Sequence, residues 1–502
     1  MPPILKKFVI VGGGSSGWMT AAALSSLLDP KDVSITLVES DQIGTIGVGE
    51  ATIPDIINFN ALLGIREADF MKATQATIKL GIEFIDWGRK GDVYVHPFSK
   101  HGVDMHGISF HQYWLRSLEG GNKHPIQDYS LCAVAAKRNK FVLPDPNPKS
   151  ILSHIRYAYH FDATLYAAYL RRYAETRGVK RIEGKVGQVL QAPDTGNITG
   201  LKLDNGEVVE GDFFFDCTGF AALLLEKALG VPYVDWSHWL PCNSAQAVAC
   251  QQAGPLTPYT RSTAHPAGWQ WRIPTQRRTG NGHIYCRDFL SDDEAVSNLL
   301  KGLDGEVIGS PRTIRFTTGR RRDFWFKNCI AIGLSAGFLE PLESTSLFLI
   351  QEGISKFISL FPYASMSDVI RDEYNHIMRT KFEQVRDFII LHYFATERDD
   401  SPFWNYCRTM SIPDSLSRKI ALFREGGRVF RYEDELFSGP SWVAVFLGQH
   451  IMPKACDPIV STLPYGEIKA SLDSMHAAMI DAAGKMPTHE EFIRKYCAAS
   501  AT

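Results

Sequence analysis

The sequence predicts an α/β fold that combines a nucleotide-binding type of strand–turn–helix unit, an antiparallel sheet and a helical C-terminal subdomain. The chain opens with a short apolar strand, a glycine-rich turn and a helical pattern. Its middle carries short strand-like runs separated by turn residues, and apolar residues recur at helical spacing from Leu347 onward. With 502 residues, 45% of them hydrophobic, the chain is long enough to bury a large core.

The first unit is a strand and a helix joined by glycines. The β-formers Phe8 to Val11 lead into a Gly-x-Gly-x-x-Gly turn, and an Ala- and Leu-rich pattern follows from Trp18. In such a turn Gly12 permits the sharp reversal, Gly14 lets backbone approach a pyrophosphate, and Gly17 lets helix and strand pack closely. The unit therefore predicts a Rossmann-type dinucleotide-binding fold.

Two further features specify the nucleotide. A second strand, Val33 to Val38, ends in Glu39, about 20 residues past the last glycine, where an acid accepts hydrogen bonds from ribose hydroxyls. The strand-to-turn pattern then recurs at Phe213 to Gly219 and at Ile330 to Gly337, and Gly333 and Gly337 are expected at the cofactor. Such dispersed turns favour a discontinuous FAD domain over a compact NAD domain.

The rest of the chain predicts two more layers. Val186 to Glu210 reads as a meander of short strands, and Thr279 to His283 as a turn before the strand-like Ile284 to Cys286, which together predict an antiparallel sheet over the substrate. Helical patterns cover Phe348 to Phe361 and Lys381 to Phe394. We expect an interleaved FAD-binding and substrate-sheet module over 1–360 and a mainly helical, substrate-covering subdomain over 361–502.

Composition excludes several classes of function. A formal charge of -2 gives no electrostatic reason to bind nucleic acid or an anionic membrane, and no export signal or membrane-spanning segment is evident. The nine cysteines form no Cys-x-x-Cys pair, which indicates reduced residues in a cytoplasmic protein. The five-residue spacing of His101, His106 and His111 places them on no common face of a helix or strand, so no metal site is expected.

Two local features are unusual for structural residues alone. The segment Gly268 to Pro274, GWQWRIP, carries two tryptophans one residue apart, and Lys79 lies in the apolar run Ala76 to Ile82. The alternative for the tryptophans is a pair that fills core at a strand edge. The alternative for Lys79 is a surface side chain whose stem covers an apolar patch.

Together these motifs carry a resemblance to a known family. The glycine turn with Trp18 and Met19, the Gly47 to Pro54 stretch, Lys79, GWQWRIP and the Gly337 to Thr345 segment GFLEPLEST resemble flavin-dependent halogenases of the tryptophan-halogenase family, over residues 1–360. The resemblance implies that reduced FAD, oxygen and halide give hypohalous acid, which passes through a tunnel to an organic substrate. It also places Glu50 and Ala51 at the cofactor.

The resemblance further assigns the barrier and the catalytic residues. Trp269, Trp271, Ile273 and Pro274 would form a rigid apolar wall between the flavin and the substrate. Lys79 would hold the hypohalous acid, by a hydrogen bond or as a haloamine, and Glu343 would stabilise the arenium cation and accept its proton. For either Glu340 or Glu343, the alternative is a carboxylate that caps a helix N-terminus.

The halide and the substrate are less directly indicated. Thr345 and Ser346 match the backbone pair that holds halide in this family, but Ser346 replaces a glycine, and bromide is the favoured halide because it is easier to oxidise. The segment Leu436 to Cys456 contains neither the tyrosines nor the glutamate that grip free tryptophan in relatives, although Trp442 and Phe446 are expected to line an aromatic slot. Indole or a simple indole derivative is the expected substrate.

Some alternatives stay open. An FAD-dependent aromatic monooxygenase, a free-tryptophan halogenase and a non-enzymatic flavin-binding sensor or structural protein would each explain part of the motif set. Because no second nucleotide fingerprint is present, FADH2 is expected from a separate NADH-dependent reductase that meets this protein by diffusion. A monomer and a homodimer are both compatible with the sequence.

Overall fold

The computed structural model describes residues 4–43 and 49–500. Two residues of the family resemblance, Gly47 and Val48, lie outside these ranges. The chain divides into two compact units, the first made of the described residues of Met1–Gln75, Phe161–His238 and Phe316–Glu383, and the second of those of Ala76–His160, Trp239–Arg315 and Gln384–Thr502. The predicted boundary between 360 and 361 stays a prediction.

The first unit is built on a six-stranded sheet. Its strands are β1 (Lys7–Val11), β2 (Ser34–Glu39), β8 (Lys180–Glu183), β12 (Phe213–Asp216), β20 (Trp325–Phe326) and β21 (Cys329–Ala331). They lie in the order β20-β21-β12-β1-β2-β8, with all pairings parallel except that of β20 with β21. Parallel neighbours bring the carboxyl ends of β1, β12 and β21 to one edge, as predicted from the recurring strand-to-turn pattern.

The remaining strands of this unit are short. They are β3 (Gly49–Ala51), β9 (Val186–Gln191), β10 (Ile198–Leu203), β11 (Val208–Glu210), β13 (Tyr233–Asp235), β19 (Gly319–Arg321) and β22 (Gly337–Phe338). The antiparallel meander β9-β10-β11 forms a sheet of its own, and β13-β19-β22 forms another. The expectation that the meander shares a sheet with Ile284 to Cys286 is therefore wrong.

Helices cover the first unit and supply its core. They are α1 (Ser15–Leu27), α2 (Asp55–Leu62), α3 (Glu67–Ala73), α6 (Ala163–Glu175) and α8 (Ser346–Ser359). Phe357 on α8 packs against Phe213 and Phe215 of β12 with ring centroids 5.2 and 4.9 Å apart. These rings are fully buried, so the apolar strand run that predicted a buried β12 is explained by the helix above it.

The second unit contains a seven-stranded sheet. Its strands are β5 (Gly81–Ile85), β6 (Val93–Pro97), β14 (Ser244–Gln251), β15 (Thr260–His265), β16 (Gly268–Pro274), β17 (Arg278–Tyr285) and β18 (Val307–Arg315), in the order β18-β14-β17-β16-β15-β5-β6. All pairings are antiparallel except that of β15 with β5. The predicted turn at Thr279 to His283 is wrong, because these residues lie inside β17; glycine in a strand there marks a close approach of its neighbour.

Two further strands and a helical layer complete this unit. Strand β4 (Thr77–Lys79) pairs antiparallel with β7 (Ala158–Asp162). The helices are α4 (Phe110–Glu119), α5 (Leu131–Lys137), α7 (Asp292–Lys301), α9 (Asp368–Phe394, which begins in the first unit), α10 (Pro402–Thr409), α11 (Asp414–Gly426), α12 (Gly439–Gly448), α13 (Pro458–Ser461), α14 (Tyr465–Lys485) and α15 (His489–Tyr496). The helical C-terminal region agrees with the predicted fold class.

All nine cysteines are buried and free, as the scattered spacing indicated. Over residues 4–43 and 49–500, no helix has the length and apolar character needed to cross a bilayer.

Candidate functional site

The glycine turn after β1 has the geometry that the sequence predicted. Gly12 adopts a left-handed φ of +110°, and its N–H donates to the Val38 carbonyl at 2.8 Å, which ties the turn to β2. A side chain at Gly12 would overlap the Cys217 carbonyl oxygen, and one at Gly17 would overlap the Gly12 carbonyl oxygen. At Gly14, in contrast, no described atom lies within 4 Å of an added Cβ, so the backbone is open on the side where a pyrophosphate would approach.

Glu39 lies at the end of β2, close to this turn. Its carboxylate accepts a hydrogen bond from Arg181 Nε at 2.5 Å and lies 3.7 Å from Arg171 Nη1. A Cβ at Gly13 would overlap the Glu39 carboxylate, so the acid and the glycine turn are in direct proximity. The predicted ribose-binding acid is thus held at the turn by two arginines that the sequence reasoning missed.

The turns after β12 and β21 meet the first turn at the same sheet edge. A Cβ at Gly333, whose φ is +79°, would lie 2.9 Å from the Ser16 Cβ, which places this turn beside the start of α1. Gly337 instead packs its Cα against β19, where a Cβ would lie 2.6 Å from the Gly319 carbonyl oxygen. Gly337 therefore has a packing reason of its own, and its cofactor role stays a prediction.

Asp216, which the sequence reasoning did not single out, organises the middle turn. Its fully buried carboxylate accepts hydrogen bonds from the Thr218 hydroxyl at 2.6 Å and from the backbone N–H groups of Leu224 and Leu225, both at 2.8 Å. Burial raises the pKa of Asp216, and these hydrogen bonds act in the opposite direction. The signal for this residue was an acid placed directly at the end of an all-phenylalanine strand.

Glu50 and Ala51 lie on the short strand β3. The Glu50 side chain is partly buried, and removal of its carboxyl group from water raises its pKa to about 7. Ala51 is 8% exposed. Their predicted contact with the cofactor stays a prediction, but Glu50 is a carboxyl group that titrates near neutral pH.

Glu343 ends a 3-10 turn, Pro341–Glu343, directly before α8. Both Glu340 and Glu343 are buried, at 0% and 1% exposure, so burial does not distinguish the two acids. Ser344 follows with a left-handed φ of +61°, a conformation that costs a residue with a side chain about 1 kcal/mol. The chain therefore turns sharply between the predicted catalytic acid and the predicted halide-binding pair.

Thr345 and Ser346 stand at the N-terminus of the 14-residue helix α8. Thr345 is buried and makes no side-chain cap to the first turn in the described part of the chain. An uncapped helix start presents backbone N–H groups and a partial positive charge, which suits an anion. Ser346 is helical, a conformation that serine adopts without strain, and the left-handed residue of the segment is Ser344.

The tryptophan segment is strand β16, an interior strand between β15 and β17. Trp269 and Trp271 are 1% and 6% exposed and their ring centroids are 6.0 Å apart. Trp269 joins an aromatic cluster through Trp87, whose ring centroid lies 6.3 Å away, so core packing accounts for it. The edge-strand alternative is wrong, because β16 is paired on both sides.

Trp271 has a different environment. Its six-membered ring occupies the space above Gly282 of β17, where an added Cβ would overlap the ring. Its indole Nε1 is buried without a hydrogen-bond partner among residues 4–43 and 49–500. Ile273 and Pro274, both buried, complete the strand. The barrier role of the four residues stays a prediction, with Trp271 as the residue that packing explains least.

Lys79 is fully buried at the end of β4, so the surface alternative is wrong. Its Nζ lies 5.1 Å from the Phe98 ring centroid, a distance at which a cation interacts with the ring. The residues around it are fixed by the β4–β7 pairing and by a 2.8 Å hydrogen bond from the Leu80 N–H to the Pro258 carbonyl. Burial holds the pKa of His160 well below its usual range, and the Lys79 ammonium acts in the same direction.

Long-range hydrogen bonds hold the strand that carries Lys79. The Thr77 hydroxyl donates to the Pro274 carbonyl at 2.7 Å and accepts from His160 Nδ1 at 3.2 Å, while His160 Nε2 accepts from Thr260 at 2.9 Å. From α15, His489 accepts the Ile78 N–H at 3.1 Å. The end of the tryptophan strand and the lysine strand are thus parts of one hydrogen-bonded network.

The two predicted substrate-slot residues lie on α12. Trp442 and Phe446 are both 1% exposed, with Phe446 stacked on Phe423 at 4.4 Å between centroids. Lys419 Nζ lies 4.9 Å from the Trp442 ring centroid and 2.9 Å from the Glu435 carboxylate. Their role in lining a substrate slot stays a prediction.

The three evenly spaced histidines do not share an environment. His111 donates from Nε2 to the Gly427 carbonyl at 2.6 Å, and His106 is exposed. Burial, with smaller contributions from His96 and His111, lowers the pKa of His101 to about 3. His101 and His111 are therefore buried neutral residues.

Comparison with known proteins identifies the family of this chain. The family model for tryptophan halogenase matches residues 7–465. The tryptophan 6-halogenase SttH of Streptomyces toxytricini is 37% identical over 470 residues, covering 88% of this chain and 89% of that protein.

Two solved structures are similar over nearly their whole lengths. Xcc4156, a flavin-dependent halogenase from Xanthomonas campestris, has a TM-score of 0.96 at 45% identity and covers 99% of this chain and 100% of its own. BrvH, a flavin-dependent halogenase from Brevundimonas sp. BAL3, has a TM-score of 0.95 at 45% identity, and the match covers 98% of this chain and 99% of BrvH. The chain belongs to the tryptophan halogenase family and is a flavin-dependent halogenase.

Proposed function

We propose that this enzyme halogenates indole or a simple indole derivative, with Lys79 and Glu343 as catalytic residues and bromide as the preferred halide. The observation that carries the assignment is a fully buried lysine whose strand is hydrogen-bonded to the end of the tryptophan strand, through Thr77 and Pro274. Together with the family resemblance, this position supports Lys79 as the residue that delivers the electrophilic halogen.

The residues of the first unit fit FAD, the cofactor of this family. The open backbone at Gly14 suits a pyrophosphate, and Glu39 lies beside the turn where a ribose hydroxyl would donate. When bound and reduced, FAD supplies, with oxygen, the oxidising equivalent that converts halide into hypohalous acid. We assign its supply to a separate NADH-dependent reductase, because the fingerprint at Gly12 to Gly17 has no second copy in the sequence.

The halide is assigned to the start of α8. Thr345 and Ser346 supply backbone N–H groups at an uncapped helix N-terminus, where the helix dipole favours an anion. Bromide is the proposed preference because it is oxidised more easily than chloride.

We assign to Lys79 and Glu343 the catalytic roles that the family resemblance implies. Lys79 holds hypohalous acid, and the ring carbon attacks its halogen as the bond from halogen to oxygen breaks. The released hydroxide takes a proton from the Lys79 ammonium and leaves as water. Glu343 stabilises the arenium cation and takes the proton from the ring carbon. Trp271, with a buried indole N–H, is the proposed wall residue along the path of the acid.

The substrate proposal rests on the charges near α12. The segment Leu436 to Cys456 offers no glutamate for an ammonium group, and the acid just before it, Glu435, is 5% exposed and already paired with Lys419. A zwitterionic amino-acid head would lose its hydration at such a site without gaining a partner. An aromatic substrate without that head avoids this cost.

Mass spectrometry of a defined reaction tests the proposal. The mixture contains the protein, FAD, a flavin reductase with NADH, bromide and indole, with chloride and tryptophan in parallel. We expect a product with the bromine isotope doublet that disappears in Lys79→Met and persists in the exposed-lysine control Lys301→Met. A hydroxylated product would favour a monooxygenase, and a product from tryptophan alone would overturn the substrate proposal.

A further inference from the structure

Three metal-ligating side chains meet in the second unit, outside every residue proposed for halogenation. His124 follows α4, Asp128 lies in the 3-10 turn Ile126–Tyr129, and His476 lies on α14. Their ligand atoms, a ring nitrogen from each histidine and a carboxylate oxygen, all lie within 4.8 Å of one another. The two imidazole rings are stacked with centroids 4.0 Å apart.

The turn that carries two of these residues is held in place by its own hydrogen bonds. The His124 N–H donates to Asn122 Oδ1 at 3.0 Å, and the Trp114 indole donates to the His124 carbonyl at 2.9 Å. The Asn122 amide also donates to the Tyr129 hydroxyl at 3.1 Å. The backbone of His124 is therefore held on both sides, and we expect side-chain rotation to bring the ligand atoms closer together.

We propose that His124, Asp128 and His476 bind one divalent transition-metal ion, for which Zn²⁺ is the natural probe. Two imidazoles and one carboxylate are the ligand set of three-ligand zinc sites, with water in the fourth position. Ligands about 2.1 Å from a tetrahedral ion are about 3.4 Å apart, so the donor atoms close by no more than about 1.4 Å. His124 is exposed and its ring rotates without disturbing the core.

The local charges are compatible with such an ion. Lys137 Nζ lies 3.5 Å from Asp128 Oδ1 and is the cation that the metal would displace. Because the ion joins a surface turn to α14, its bound form stabilises the helical C-terminal region.

Metal binding to the full-length protein tests this site directly. After treatment with a chelator, the protein is titrated with Zn²⁺ by calorimetry, and bound zinc is counted by mass spectrometry after dialysis. We expect one equivalent in the wild type and in the control His154→Ala, which removes an exposed histidine outside the cluster. His124→Ala and His476→Ala should bind at least about tenfold more weakly.

Two further measurements distinguish site loss from misfolding. Zn²⁺ should raise the Tm of the wild type and of His154→Ala but not that of His124→Ala, which removes an exposed side chain and leaves the turn intact. The visible absorption of bound Co²⁺ should report histidine ligation and weaken in Asp128→Asn. Equal zinc stoichiometry and affinity in all five proteins would overturn the proposal, as would a Zn²⁺-dependent rise in Tm that survives His124→Ala.

Discussion

Replacement of His489 should both destabilise the protein and slow halogenation. His489 is fully buried on α15; its Nε2 accepts the Ile78 N–H at 3.1 Å and its Nδ1 donates to the Leu256 carbonyl at 2.9 Å. His489→Ala leaves both backbone groups buried without this partner, at about 1–3 kcal/mol each. Because the missing ring also leaves a cavity, we expect the free energy of unfolding to fall by about 3–5 kcal/mol. This is a large share of the total stability of a folded domain.

The kinetic effect follows from the position of Ile78 directly before Lys79. Release of this anchor lets the lysine strand shift, and a displacement of about 1 Å at a reacting group lowers rates by up to about a hundredfold. We therefore expect kcat for indole bromination to fall at least about tenfold while the Kd for FAD is unchanged. His489→Gln, whose amide both accepts and donates, should recover part of the rate and of the stability.

Urea denaturation and steady-state kinetics check these values, with Arg494→Ala as an exposed control on the same helix. The reasoning fails if His489→Ala is no less stable than Arg494→Ala, or if its kcat equals that of the wild type at full folding. The pH profile is a third readout. Burial lowers the pKa of His489 to about 4, so below pH 6.5 the unfolded chain binds a proton that the folded protein does not. The free energy of unfolding should therefore fall on acidification, by about 2 kcal/mol at pH 5. His489→Gln should lack this loss.

Three further predictions concern other parts of the site. Gly282→Ala should displace the Trp271 ring and lower the free energy of unfolding, measured in urea, by about 1–3 kcal/mol. Adding Trp271→Phe should restore part of that free energy. If the effects of the two substitutions were strictly additive, the contact between these residues would be contradicted. Burial raises the pKa of Glu50 from 4.5 to about 7, so the unfolded chain releases this proton at a lower pH than the folded protein does. The free energy of unfolding of the FAD-free protein should therefore fall by about 2–3 kcal/mol between pH 5 and pH 8 relative to that of Glu50→Gln. Denaturation at each pH measures this difference, and parallel pH profiles of the two proteins would refute it. At equal halide concentrations the wild type should form more brominated than chlorinated indole, and a preference for chloride would contradict the bromide assignment. Ser346→Gly should change the KM for halide but not the KM for indole.

The parts of the fold that depend on local pattern could be predicted from the sequence. Gly12, Gly14 and Gly17 each serve a local requirement of turn, access or packing, and the structure shows the turn and the close packing at the expected positions. The apolar neighbours of Lys79 left a buried and a surface position open, and the structure shows that it is buried. Local patterns predict such features because their physical causes act within a few residues along the chain.

The remaining features depend on partners far away in the chain. Thr279 to His283 looked like a turn because of its glycines, but Gly282 is small because the Trp271 ring of the neighbouring strand occupies the space above it. In the same way, no local signal marks Ser344 rather than Ser346 as the left-handed residue. Strand register and tertiary packing decide both cases, and neither is encoded in a short window of sequence.

The anchoring of Lys79 shows how much of this site depends on the completed fold. Thr77 is hydrogen-bonded to Pro274, which lies 197 residues later in the sequence, and Ile78 to His489, which lies 411 residues later. The neighbouring histidines are held neutral by burial, so they add no positive charge beside the ammonium. The strand that carries this lysine is thus positioned by hydrogen bonds between uncharged groups that come from distant parts of the chain. The C-terminal helix α15 is therefore expected to be needed for catalysis although it carries no catalytic residue, and a chain that ends before His489 should bind FAD without halogenating indole.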